Sequence, residues 1–206
     1  MSVLQPFRIE TAGHGAVAGV ASGNSGPGVV LLHDQGADLD AVAWLAGLPG
    51  LGGMACIAPD LPGHGLSDDD DGGAPEQAIA AVLAHLAGRG FGPFTVAGFG
   101  HSCSIALAMC HSPDVVGVAL VAPRSPPPPR CRATRRLALL GVISGLEPDA
   151  DQLWRACRTA AALPWTTIRL PVPSAGLLRP DQPTARIIAS HLGGFAADML
   201  ANRRGA

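Results

Sequence analysis

A chain of 206 residues with 48% apolar residues is long enough to bury the core of one α/β domain. Its 14 basic and 16 acidic residues give a net charge of −2, which provides no basic surface for nucleic acid. The sequence contains no Lys and no Tyr, which excludes Schiff-base chemistry on Lys and acid–base catalysis by Tyr.

The cysteines and the N-terminus narrow the class of protein further. The 5 cysteines are odd in number and show no C-x-x-C spacing, so we expect buried, reduced thiols rather than disulfides or a metal site. The first residues lack the pattern of a signal peptide, and no stretch reaches the ~20 apolar residues of a membrane span. We therefore expect a cytoplasmic protein without a membrane partner, a metal or another cofactor.

The first part of the chain alternates predicted strands and helices. Residues 7–12 and 15–22 are predicted as two opening strands, and the continuous apolar run at 29–32 is typical of a strand buried on both faces. Asp38 or Asp40 is placed to cap a helix through Leu48. Further predicted elements are a strand at 54–58, a helix at 75–86, a strand at 94–99, a helix from 103 and a strand at 115–121.

The pattern changes after Arg124, where four consecutive prolines predict an extended spacer. Two helices are predicted at 131–144 and 149–163, and we interpret 125–164 as a small helical lid. A strand at 166–178 and a helix at 184–192, ended by Gly193-Gly194, follow, with a last strand or frayed helix at 195–201. Alternating strands and helices predict a mostly parallel sheet covered on both faces, with the ligand beyond the carboxyl ends of the strands.

The order of these elements resembles the α/β-hydrolase superfamily over essentially the whole chain. Residues 31–36, LLHDQG, are similar to the family's strand and oxyanion loop. Residues 58–67, APDLPGHGLS, closely match its D-x-x-G-x-G-x-S loop, and GFGHS at 98–102 stands where the family has the G-x-S-x-G nucleophile elbow. The resemblance implies an α/β-hydrolase core at 1–124 and 165–206, with the lid at 125–164 inserted into it.

Three departures from the family pattern weaken the expectation of ester hydrolysis. Counting back from Ile105 places Gly100 at the nucleophile position, although a shifted register would place Ser102 there, and both alternatives stay open. Asp181 resembles the family's acid, but the histidine position falls at or beyond the end of the chain, unless His191 serves instead. Asp34 stands where the family has glycine, and a carboxylate there would repel an oxyanion.

Candidate site residues follow from this alignment. Asp34 is a candidate general base, or the acceptor of a local turn; His101 is a candidate acid and base, or a packing residue. Ser102 is a candidate nucleophile, or a helix cap. Main-chain N–H groups at the Gly100 turn are expected to polarise a carbonyl. The residues expected to bind substrate are His33, Gln35, Phe99, Gly100, Arg124 and Trp154.

Three functions remain in competition. The first is a degenerate α/β-hydrolase homologue that binds a small apolar organic molecule and catalyses cyclisation, dehydration or rearrangement, in the manner of biosynthetic tailoring enzymes. The second is a serine esterase or thioesterase that uses Ser102. The third is a non-catalytic binding or partner protein. A chain that lacks the family's usual C-terminal helix would expose apolar surface, for which a second copy in a homodimer is the expected cover.

Overall fold

The computed structural model describes residues 3–51, 53–69, 72–127, 137–174, 177, 179 and 182–204. Its strands in these residues are β1 (Leu4–Thr11), β2 (Gly15–Ser22), β3 (Gly26–Leu32), β4 (Ala55–Pro59), β5 (Phe91–Phe99), β6 (Val115–Val121), β7 (Ala138–Ser144) and β8 (Trp165–Leu170). Its α-helices there are α1 (Asp40–Ala43), α2 (Pro75–Gly88), α3 (Cys103–Ala108), α4 (Pro148–Ala161) and α5 (Pro183–Arg204).

These strands form one sheet in the order β1-β2-β4-β3-β5-β6-β7-β8. β2 pairs antiparallel with both of its neighbours, whereas the strands from β3 to β8 run parallel to one another. Every residue of β4 and of β6 is buried, as expected for parallel strands covered on both faces. The predicted fold class, a mostly parallel sheet with helices on both faces, is confirmed.

Two apolar clusters lie on opposite faces of this sheet. Successive residues of β3 alternate between them: Val29 and Leu31 belong to one cluster, and Val30 and Leu32 to the other. Side chains of α2, α3 and α4 complete the second cluster, and side chains of α1 and α5 complete the first. The carboxyl ends of β3, β5, β6, β7 and β8 therefore open at one edge, between the two layers of helices.

The predicted helical lid is wrong in the part of 125–164 that the structure describes. Residues 138–144 form β7, a strand between β6 and β8, rather than the end of a helix. α4 is a helix as predicted, but its Trp154 and Cys157 are buried in the core, so it covers the sheet instead of the site. Residues 128–136 lie outside the described residues.

The end of the chain also differs from the prediction. α5 runs without a break through Gly193 and Gly194, which are predicted to end it, and residues 195–201 take the helical one of their two predicted alternatives. Gly193 allows α5 to lie against the Gly50 carbonyl, since a Cβ there would meet that oxygen at 1.7 Å. α5 covers one face of the sheet. The expectation of a homodimer assumes that this C-terminal helix is absent, and the structure removes that premise. No helix in the described ranges has the length and hydrophobicity that crossing a membrane requires.

Candidate active site

The turn between β5 and α3 places Gly100 at its apex. Gly100 has a φ of +63°, the left-handed conformation that glycine adopts at little cost. Two residues before it, Gly98 packs so closely on the start of α3 that a Cβ there would meet the Ser102 carbonyl oxygen at 2.5 Å. This strand–turn–helix geometry is that of a nucleophile elbow with no side chain at the position of the nucleophile.

Ser102 does not have the geometry of a nucleophile. Its side chain is buried, and its Oγ accepts a hydrogen bond from the Phe99 N–H (2.9 Å) and donates one to the Leu32 carbonyl (2.7 Å). These bonds tie the elbow to β3 and leave the hydroxyl facing the sheet. The expectation of Ser102 as a catalytic residue is therefore corrected: it stabilises the turn.

The carboxylate of Asp34 occupies the space above Gly100. A Cβ built on Gly100 would meet the Oδ2 atom of Asp34 at 2.1 Å. The Oδ1 atom of Asp34 accepts hydrogen bonds from the main-chain N–H groups of His101 (2.7 Å) and Gln35 (2.8 Å). These are the N–H of the residue after the elbow apex and an N–H of the loop after β3, which form the oxyanion hole in this fold. The expectation that they polarise a substrate carbonyl is corrected, because Asp34 already uses them.

The side chains of His101 and Arg124 also bond the Asp34 carboxylate. His101 Nδ1 lies 3.0 Å from Oδ1, and Arg124 Nη1 lies 3.2 Å from Oδ2. The side chain of Asp34 is 26% exposed, against 44% for His101 and 45% for Arg124, so all three can reach a ligand. The main-chain N–H of Arg124 also donates to the Gly100 carbonyl (3.1 Å), which fixes the start of its loop over the elbow.

The Asp34–His101 contact assigns the roles of the two imidazole nitrogens. A carboxylate only accepts hydrogen bonds, so Nδ1 of His101 carries a proton that it donates to Asp34. Within the described part of the chain, no residue bonds Nε2, which is left free to accept a proton. This arrangement matches the Asp–His half of a catalytic triad, in which the carboxylate orients the imidazole and stabilises its charged form.

Glu147 and Ser174 follow β7 and β8, and sequence reasoning missed both residues. The Ser174 N–H donates to Oε1 of Glu147 (2.7 Å) and its hydroxyl donates to Oε2 (2.6 Å). These bonds, and the nearby Arg124 guanidinium, lower the pKa of Glu147 below its ordinary value. The resemblance to the family implies an acid and then a histidine after the nucleophile, in loops that follow late strands, and Glu147 and Ser174 follow β7 and β8 in that order.

This placement corrects the expected acid and histidine of the family. Asp181 lies outside the described residues, and β8, which takes the place of the strand predicted at 166–178, ends at Leu170. His191 lies on the exposed side of α5, so it is not the residue that follows the last strand. By the order of the described strands, Ser174 follows the last strand, where the family's histidine is expected.

His33 and Gln35 lie in the loop after β3 but differ in role. His33 Nε2 accepts the Leu61 N–H (2.9 Å), so its Nδ1 carries the proton and donates to the Asp34 carbonyl (2.9 Å). Burial lowers the pKa of His33, which is held as a neutral brace out of reach of a ligand. The side chain of Gln35 is exposed beside Asp34 and stays a candidate contact.

Phe99 and Trp154 are not substrate-binding residues in this structure. Phe99 is 1% exposed and packs in the cluster beneath α1 and α5. Trp154 is also 1% exposed, and its Nε1 donates to Thr167 Oγ1 (2.7 Å) on β8. Gly141 on β7 makes room for this indole, since a Cβ there would meet the ring at 2.6 Å.

Cys103 is the remaining nucleophilic side chain near the turn. It is buried, its Sγ lies 3.2 Å from the Gly98 carbonyl oxygen, and burial raises the pKa of its thiol well above the ordinary range. A buried protonated thiol is a poor nucleophile. No described side chain at the elbow is therefore placed to form an acyl intermediate.

Comparison with known proteins agrees with the fold. Structures similar to this chain include an esterase of Pyrococcus furiosus, at 13% identity and a TM-score of 0.74 over 97% of this chain and 91% of that one. DcsB in complex with a substrate analogue has 11% identity and a TM-score of 0.76, over 95% and 99%. The bottromycin epimerase BotH in complex with bottromycin A2 has 15% identity and a TM-score of 0.71, over 92% and 98%.

Sequence comparison gives the family. A search of curated protein sequences found no significant match. A model of the alpha/beta hydrolase family matches residues 29–203, which include every strand from β4 to β8 and all five α-helices except the end of α5. The chain therefore belongs to the alpha/beta hydrolase family.

Proposed function

We propose that this protein is an enzyme that transforms a small, largely apolar organic molecule by non-hydrolytic acid–base chemistry: cyclisation, dehydration or rearrangement. The observation that carries the proposal is the Asp34–His101 pair in the place of the missing nucleophile (Nδ1 to Oδ1, 3.0 Å). His101 Nε2 is the proton acceptor and donor, and Asp34 orients the ring.

Acyl transfer is disfavoured by three features of the same site. Gly100 offers no nucleophile, and Ser102 and Cys103 are buried with hydrogen bonds to the main chain. The donors that would stabilise a tetrahedral oxyanion are bonded to Asp34, whose negative charge would oppose that of the oxyanion. An ester entering this site meets neither a nucleophile nor free oxyanion donors.

Proton transfer needs only what remains at the elbow. A positioned imidazole has an ordinary pKa near neutrality, so it can take and return a proton at physiological pH. The fold itself supports such chemistry, since one similar structure is described as an epimerase, and epimerisation removes and returns a proton at one carbon. That comparison also favours a biosynthetic setting. Leu66 and Leu146, in the loops after β4 and β7, are exposed apolar side chains, which supports a largely apolar substrate.

Base-promoted ring opening of 5-nitrobenzisoxazole tests the proposal, because this reaction removes a proton from carbon and needs no nucleophile. We expect the protein to accelerate it over buffer, and His101→Ala to reduce the rate about 100-fold, the usual contribution of a positioned base. His85→Ala, on the exposed side of α2, is the matched control and should keep the rate.

Two results would contradict the proposal. Equal rates for the wild type and His101→Ala would show that His101 is not the base, as expected of a non-catalytic binding protein. Covalent labelling of the wild type by a fluorophosphonate would instead reveal an active serine and favour the esterase.

A further inference from the structure

We propose that Arg124 is the catalytic electrophile of this site and that the substrate is a carbonyl compound with a removable proton on the adjacent carbon. This inference rests on the proposed function of His101 as the base. In it, the Arg124 guanidinium donates a hydrogen bond to the carbonyl oxygen and stabilises the enolate that forms.

The need for Arg124 follows from the use of the ordinary donors. An enolate oxygen requires hydrogen-bond donors, and in this fold the main-chain N–H groups at the elbow supply them. Here Asp34 takes both of these N–H groups, at 2.7 Å and 2.8 Å. Stabilisation of an oxygen charge must therefore come from a side chain, and Arg124 is the cation that bonds the same carboxylate.

Arg124 has donors left for this task. A guanidinium has five N–H groups, and Asp34 uses the Nη1 atom alone, at 3.2 Å. The Arg124 guanidinium contributes to the lowered pKa of Glu147, but both carboxylate oxygens of Glu147 are bonded by Ser174. In the part of the chain that the structure describes, Arg124 forms no second ion pair, and its side chain is 45% exposed.

Arg124 and His101 are held on opposite ends of one carboxylate. His101 bonds Oδ1 and Arg124 bonds Oδ2, so Asp34 fixes the base and the electrophile relative to each other. A carbonyl group and its neighbouring C–H bond are separated by a single carbon–carbon bond. A rigid planar carboxylate between the two catalytic groups suits a substrate in which the two reacting positions are adjacent.

The charges of the site favour a neutral carbonyl compound. Asp34 and Arg124 carry opposite charges that offset each other, and the role of a base requires a neutral His101 ring. The C–H proton moves to Nε2 of His101, and its electron pair forms the carbon–carbon double bond as the carbonyl oxygen becomes negative. That oxygen accepts from Arg124, and the imidazolium bonds Asp34. Return of the proton to carbon restores every group, so the step requires no oxidant or other reactant.

Deuterium exchange at the carbon next to the carbonyl of 2-tetralone, followed by proton NMR in D₂O, tests the inference. We expect the wild type to accelerate the exchange, and His101→Ala and Arg124→Gln both to abolish it. Arg124→Gln should lower the exchange rate at least tenfold more than it lowers the 5-nitrobenzisoxazole reaction, whose developing oxygen charge is delocalised into a nitrophenolate and needs little stabilisation. Arg155→Gln, on the exposed side of α4, is the control and should keep both rates.

The other outcomes separate this inference from the proposed function. If Arg124→Gln lowers both rates equally, Arg124 only holds Asp34, and the inference fails while the base survives. If the wild type opens the benzisoxazole but exchanges no deuterium, the carbonyl substrate class is wrong. If His101→Ala changes neither rate, the proposed function fails as well.

Discussion

The carboxylate of Asp34 lies where the side chain of residue 100 would otherwise stand, so its position requires glycine there. A Cβ on Gly100 would meet the three atoms of this carboxylate at 2.1–2.3 Å. The same carboxylate bonds the two main-chain donors that an oxyanion would use. A nucleophilic side chain at residue 100 and the carboxylate of Asp34 in its present place therefore exclude each other.

Gly100→Ala should destabilise the protein more than its backbone conformation alone requires. The left-handed conformation costs a non-glycine residue about 1–2 kcal/mol, and displacement of Asp34 adds to this cost. We expect a double-mutant cycle with Asp34→Gly, measured by urea unfolding, to show a coupling of about 1 kcal/mol or more.

The control for this cycle is Gly13→Ala in the β1–β2 turn. Gly13 has a similar φ of +81°, and a Cβ there has no neighbour within 4 Å. It should show the conformational cost without coupling to Asp34→Gly. Additivity of Gly100→Ala and Asp34→Gly would contradict the close contact.

Three substitutions together should convert the site into a weak hydrolase. Asp34→Gly frees the N–H groups of His101 and Gln35, and Gly100→Ser supplies a nucleophile. Ser174→His places an imidazole beside Glu147, which then serves as the acid. We expect fluorophosphonate labelling of residue 100 and hydrolysis of p-nitrophenyl acetate, both absent from the wild type. An oxyanion hole and substrate binding without a complete triad give far less catalysis than a complete triad does, so all three substitutions are needed.

The matched controls are the three double variants. Gly100→Ser with Ser174→His but with Asp34 retained should not be labelled, because the new side chain and the Asp34 carboxylate compete for the same space beside the oxyanion donors. Labelling of that variant would show that the Asp34 side chain moves aside easily and does not prevent use of the oxyanion hole.

The first half of the fold and the elbow could be predicted from the sequence because their signals are local. The apex at Gly100 follows from its spacing to Ile105, and the buried strand at 29–32 follows from an unbroken apolar run. The location of Asp34 and His101 at the same edge of the sheet follows from the rule that ligand sites lie at the carboxyl ends of parallel strands, whereas their direct contact is seen only in the structure. That rule depends on topology and needs no side-chain detail.

β7 could not be predicted from the sequence, which favours a helix at 131–144. Because one strand is missed, the positions of the acid and the histidine are predicted one strand too late in the chain. Residues 137–143 are continuously apolar apart from Gly141, a pattern that periodicity cannot assign to helix or strand. Their state is decided by pairing with β6 and β8, from residues more than 20 positions away. Once β7 is recognised, Glu147 follows the strand before the last described strand and Ser174 follows the last one, the places expected for the acid and the histidine.

The buried neutral His33 should make the protein less stable in mild acid. Burial lowers the pKa of His33, so the folded state stays unprotonated at pH values where the unfolded chain, with a pKa of about 6.5, binds a proton. Stability is therefore present above pH 6.5 and decreases as the pH falls below it. Urea unfolding at pH 7.5 and pH 5.5 should show a smaller decrease for His33→Gln, and an equal decrease would contradict the assignment.

NMR provides an independent check on His33. Its nitrogen shifts should report a neutral ring protonated on Nδ1, since Nε2 accepts the Leu61 N–H. An imidazolium at pH 7 would contradict both the tautomer and the expected pH dependence.

Ser174→Ala should raise the pKa of Glu147 and weaken the protein selectively at neutral pH. The Ser174 hydroxyl bond is the main cause of the lowered pKa of Glu147, followed by the Ser174 N–H bond, which the variant keeps. A carboxyl group with a lowered pKa in the folded state adds stability above its unfolded pKa of about 4.3, and this stability is lost as the pH falls through the folded value. Urea unfolding should therefore show a larger loss for Ser174→Ala at pH 7 than at pH 3. In a Glu147→Gln background the same substitution should have an effect that does not depend on pH, and a persistent pH dependence there would assign it to another group.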